Sequence, residues 1–117
     1  VMIENDFSGG RAYAQSKLAQ IMFTIDLAEE LKGTGVVVNA LHPATYMDTG
    51  MVRRAGLRPR ATVGEGAEAV MQLITEPDIG SGGYFNGLRP SRANDQAYDE
   101  EARGKLRRLS EELTGAP

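Results

Sequence analysis

Tyr13 and Lys17 stand four residues apart in the run RAYAQSKLAQ, residues 11–20. On a helix, residues at that spacing share a face, with Cβ atoms about 5–6 Å apart. A free phenol, with a pKa near 10, is a poor base at neutral pH. A cation held within about 4–6 Å favours the phenolate. A tyrosine so placed can exchange a proton with an alcohol or carbonyl oxygen near neutrality. The lysine, with three donors, can also reach the hydroxyls of a bound sugar. Two readings stay open on the pair alone: a proton-transfer couple, or a tyrosine lying under a surface lysine. For this composition chance gives roughly 0.1 such pair, so the motif needs its context.

Composition removes several other chemistries. The 117 residues contain no cysteine, which excludes disulfides, thiolate catalysis and zinc–thiolate sites. One histidine, with no His/Asp/Glu group at ligand spacing, predicts no metal site. The net charge of −3 offers nucleic acid no electrostatic attraction. No apolar run approaches the roughly 18 residues of a membrane span, and no signal peptide opens the chain. A cytoplasmic location is the expectation.

The elements that would position the pair follow from apolar spacing. From Arg11 to Lys32, Leu18, Ile21, Met22, Ile25, Ala28 and Leu31 recur every three or four residues. This predicts an amphipathic helix between the glycines 9–10 and Gly33 and Gly35. The valine-rich GVVVNALHP, closed by Pro43, reads as a parallel strand covered on both faces. Periodicity then fades to about Ala61, predicting a long loop. Thr62 and Glu65 form a capping box for a second helix, in which Ala67, Val70, Met71 and Ile74 make an apolar stripe ending at Pro77. GGYFNG reads as a second strand with Asn86–Gly87 as its turn. Asn94 to about Leu113 reads as a charged helix with its acids early, its bases later and a seam of Tyr98, Ala102, Leu106, Leu109 and Leu113. Helix, strand, helix, strand, helix is the order of an α/β fold containing a βαβ unit. Two strands do not make such a sheet alone, so residues 1–117 are expected to be part of a larger domain.

With that context, YAQSKLA heading a helix and GTGVVVNALHP following it resemble the short-chain dehydrogenase/reductase family, in the branch of retinol dehydrogenases and related bacterial oxidoreductases. The GGYF strand and the closing KLRRLSEELTG extend the resemblance over the C-terminal part of a family member. It implies the C-terminal segment of a doubly wound Rossmann-type sheet, incomplete as a domain. It implies an oxidoreductase that uses NAD or NADP to interconvert a small-molecule alcohol with a ketone or aldehyde.

Carried over residue by residue, the resemblance makes Tyr13 the proton donor and acceptor. Lys17 becomes its assistant and the ligand of the nicotinamide ribose. Pro43 matches the turn that wraps the nicotinamide, although Ala44 stands where the family has glycine. Thr45 or Thr49 matches a threonine that contacts the cofactor, and Tyr46 lies where backbone meets the carboxamide. The resemblance also implies pairing of copies through the helix carrying Tyr13 and Lys17. The family's glycine-rich phosphate turn, its nucleotide-selecting residue and its catalytic serine have no match in these residues, and Ser8 stands too close to Tyr13 to serve. The chain alone is therefore expected to be inactive, and a non-catalytic binding module is the alternative.

Four further features have bland readings. His42, just before Pro43, is expected to be structural. Asn39, interrupting an apolar strand, is expected to be a buried amide that orders nearby backbone. Arg53, Arg54, Arg58 and Arg60 fit a solvated loop better than a site for an anionic substrate. The charges of the last helix fit a solvated face.

Overall fold

The computed structural model describes residues 9–43, 53–54, 56 and 62–116 of the chain. Helix α1 spans Gly9–Glu30. Of its expected stripe, Met22 and Ala28 are buried, while Leu18, Ile21, Ile25 and Leu31 are half-buried. Past Glu30 the chain turns through Gly33 and Gly35, both at φ 83°, and the Thr34 hydroxyl donates to the Leu31 carbonyl at 2.6 Å.

Strand β1 is only Ala40–His42. It pairs in parallel with β2, Tyr84–Asn86, in the register Ala40↔Tyr84, Leu41↔Phe85 and His42↔Asn86. Between them lies α2, Val63–Thr75, so the expected βαβ unit is present. The strand is shorter than the valine run because its partner bends away. Gly80 and Gly82 have φ of 80° and 78°, a conformation that takes residues 80–83 out of a regular ladder. Pairing persists there by other means. Gly82 N–H donates to the Val38 carbonyl at 2.7 Å, and Val38 N–H donates to the Ser81 hydroxyl at 3.0 Å. Val36 and Val37 are more than half exposed, so the expected cover on both faces is not supplied by the described residues.

A third strand, β3 at Arg89–Ser91, joins β2 antiparallel and makes the sheet mixed, in the order β1-β2-β3. Its polar residues and Pro90 hid it from the sequence. Proline is tolerated here because β3 is an edge strand.

The Thr62–Glu65 capping box forms: Glu65 N–H donates to Thr62 Oγ1 at 3.0 Å and Thr62 N–H to Glu65 Oε1 at 3.4 Å. The buried face of α2 is not the expected stripe. Gly66 and Ala69 are buried, whereas Val63, Val70, Met71 and Ile74 are exposed. The predicted last helix is split. Asn94 caps a 3₁₀ turn at Asp95–Tyr98, and Asp99 caps α3, Glu100–Thr114. Asn94 Oδ1 accepts from Gln96 N–H at 2.9 Å, and Asp99 Oδ1 accepts from Glu101 and Ala102 N–H at 3.0 and 3.3 Å. Two side chains able to cap, five residues apart, end one helix and begin another. Helix α1 packs against β1, the 3₁₀ turn and α3. Among the described residues the buried apolar ones are Met22, Ala28, Ala69, Phe85 and Ala97.

Candidate active site

Tyr13 and Lys17 lie in the first half of α1, which two glycines open and the apolar stripe anchors further on. The helix puts both side chains on one exposed face. Lys17 Nζ lies over the Tyr13 ring, 5.7 Å from its centroid, and Tyr13 is 61% exposed. The phenol is thus open to an incoming oxygen rather than sealed in apolar packing. Local backbone is held by Ser16, whose hydroxyl donates to the Tyr13 carbonyl at 2.8 Å. Among the described residues Lys17 makes no ion pair with a carboxylate, so its three donors are available to a ligand.

Pro43 ends β1 and is half-buried. Two interactions fix the strand that delivers it. Gly87 N–H donates to the His42 carbonyl at 2.8 Å. Asn39 clamps the glycine segment opposite, its Nδ2 donating to the Gly80 carbonyl and its Oδ1 accepting from Gly83 N–H, each at 2.9 Å. The expected hydrogen-bonded amide is present, half-buried rather than buried. Thr45, Tyr46 and Thr49 lie outside the described residues, as do Ser8, Arg58 and Arg60. Arg53 and Arg54 are described and exposed.

One expectation is corrected. The charges of the last helix are not all solvated: Arg103 is 8% exposed. Its Nε donates to Asp26 Oδ1 at 2.7 Å and its Nη1 to the Ala97 carbonyl at 3.0 Å. Arg107 meets the other carboxylate oxygen, Oδ2, at 3.3 Å. The available signal was Asp26 itself, four residues after buried Met22 on a helix and therefore turned inward. A cavity of about 490 Å³ runs between α1 and α3 past Met22, Phe23 and Leu106, but neither Tyr13 nor Lys17 lines it.

Among the described residues no group of three His, Cys, Asp or Glu side chains could hold a metal ion. No helix among them is long and apolar enough to cross a membrane.

The model of the short chain dehydrogenase family matches residues 2–59, which include Tyr13, Lys17 and Pro43. Retinol dehydrogenase 13 of Mus musculus is 34% identical over 89% of this chain and 36% of its own length. Retinol dehydrogenase 14 of Mus musculus is 34% identical over 96% of the chain and 38% of its own length. Retinol dehydrogenase 11 of Homo sapiens is 32% identical over 97% and 39%. The chain therefore spans less than two fifths of the length of these curated relatives.

Proposed function

The chain belongs to the short-chain dehydrogenase family, and from that premise we propose that the complete protein is an NAD- or NADP-dependent oxidoreductase interconverting an alcohol and a ketone or aldehyde. When bound, the nicotinamide supplies or accepts hydride at the substrate carbon. The chain's own residues handle the proton and the orientation. Tyr13 gives its phenolic proton to the carbonyl oxygen in reduction and takes it from the hydroxyl in oxidation. Lys17 assists as the adjacent cation and offers its remaining donors to the ribose hydroxyls. Pro43, Thr45, Tyr46 and Thr49 are the further residues that the family resemblance assigns to contacts with the nicotinamide.

The observation that carries this reading is an exposed phenol with a lysine ammonium 5.7 Å from its ring centroid. Tyr13→Phe removes the proton and little volume. In the complete protein turnover of retinol with NAD or NADP should fall by roughly 10²–10⁴-fold, the usual worth of a general acid–base group, with the unfolding midpoint unchanged. Turnover within about twofold of wild type would end the proposal.

The isolated 117 residues are proposed to be inactive, since they carry no glycine-rich phosphate turn and no match to the family serine. Pairing of copies through α1, whose Phe23 is 62% exposed, and a cytoplasmic location belong to the same proposal. A second reading, a non-catalytic binding module, draws on the exposed Val36, Val37 and Ile74, apolar surface suited to a partner.

A further inference from the structure

We propose that Arg103 is a positioning residue for the reaction, acting through Asp26 on the helix that carries Tyr13 and Lys17; this rests on the dehydrogenase reading above. The Arg103 guanidinium is buried and ties three elements at once. It holds α1 through Asp26 Oδ1 at 2.7 Å and the 3₁₀ turn through the Ala97 carbonyl at 3.0 Å, while its own backbone belongs to α3. Arg107 occupies the second carboxylate oxygen at 3.3 Å, so Asp26, 17% exposed at its side chain, is held on both sides.

The proton-transfer pair stands at the other end of the same rod. From Asp26 to Tyr13 the helix axis runs about 20 Å, at a rise of about 1.5 Å per residue. A tilt of about 3° at the clasp carries the phenol roughly 1 Å, and a misplacement of that size costs on the order of 100-fold in rate. A guanidinium fork fixes direction as well as distance, which a single ammonium does not. Lysine at 103 can satisfy the Asp26 carboxylate or the Ala97 carbonyl but lacks the geometry to hold both. Because Tyr13 and Lys17 ride on one helix, a tilt moves them together against the bound reactants and leaves their mutual arrangement intact.

The test uses the complete protein with retinol as the probe alcohol and NAD and NADP as the probe nucleotides. Arg103→Ala leaves a half-buried carboxylate facing only Arg107 and threatens folding, so the informative variants are Arg103→Lys and Asp26→Asn. The folded fraction is measured by thermal melting, and kcat is expressed per folded molecule. The expected result for Arg103→Lys is a kcat lowered roughly 10- to 100-fold. The KM for nucleotide should rise by less than kcat falls, because Lys17 stands nearer the clasp than Tyr13 and moves less, and the pH dependence of kcat/KM should be unmoved, because the pair tilts as a unit. Asp26→Asn should lower kcat less, and adding Arg103→Lys to it should cost less than Arg103→Lys alone, since both act on one clasp. A full kcat per folded molecule in Arg103→Lys would overturn the positioning role and show a structural tie only. Loss of nucleotide affinity with kcat retained would overturn it too. If Tyr13→Phe is as active as wild type, the dehydrogenase reading fails and the positioning role with it; that failure is visible without any clasp variant.

Discussion

Asn39 offers the sharpest test of how the strand leading to Pro43 is held. Its amide makes two hydrogen bonds of 2.9 Å, one given to the Gly80 carbonyl and one accepted from Gly83 N–H. The first is exposed and the second part-buried. Water can replace much of the first, so it is worth about 0.5 kcal/mol. The second, which leaves a partly buried N–H without a partner when broken, is worth about 1.5 kcal/mol. Asn39→Ala in the complete protein should therefore cost about 2 kcal/mol. At about 1.4 kcal/mol per tenfold, this is a roughly 30-fold loss of protection at the Gly83 amide. Amide hydrogen exchange read at Gly83 measures the effect where it arises, and thermal melting reads its global share. Asn39→Asp separates the two bonds, because a carboxylate oxygen still accepts from Gly83 but nothing donates to Gly80. Gly83 protection should then survive within about threefold while stability drops by about 0.5–1 kcal/mol. If Asn39→Ala leaves Gly83 as protected as in wild type, the clamp is not what holds this segment.

Two further outcomes are expected. Phe85 is 4% exposed at the centre of the three-stranded sheet, so Phe85→Ala should cost about 3–5 kcal/mol by chemical denaturation of the complete protein, well above the Asn39 effect. Titration of the isolated 117-residue chain with NADH and NADPH, followed by nicotinamide fluorescence, should show no saturable binding below millimolar concentration. Tight binding would contradict the view that these residues form an incomplete cofactor site.

What could be read from the sequence was local, and most of what could not was tertiary. The helix carrying Tyr13 and Lys17 was legible because its apolar residues repeat with the helical period and glycines bracket it. The capping box at Thr62 was legible because both of its partners lie within one turn. One failure, the split of the last helix, is local, and the other two are tertiary. Asp99 looked like one acid among several on a continuous helix, yet its side chain caps α3 and stops the 3₁₀ turn at Tyr98. The Val36–Val38 run looked like ladder, but whether it pairs depends on residues 80–83, more than forty positions away. The stripe of Val70, Met71 and Ile74 on α2 has the right period, yet the buried positions of the helix are Gly66 and Ala69. Periodicity finds an apolar face without naming its neighbour.

The same distinction governs the site. A tyrosine and a lysine four residues apart meet by helix geometry alone, so their contact was decided as soon as the helix was. The direction in which they point is decided elsewhere. Within the described residues it depends on which elements grip α1, and buried Arg103 of α3 bonds to Asp26 on that helix, with Arg107 beside it. A buried arginine is expensive unless its donors are satisfied. Here Nε and Nη1 are both bonded, to a carboxylate on one element and a carbonyl on another. An apolar side chain would pack α1 against α3 without fixing its rotation or tilt, because the hydrophobic effect has no direction. A fork with two fixed acceptors does have one. On the proposed reading, in which Tyr13 carries the proton, that direction is what Arg103 adds to stability, because proton transfer tolerates little misalignment.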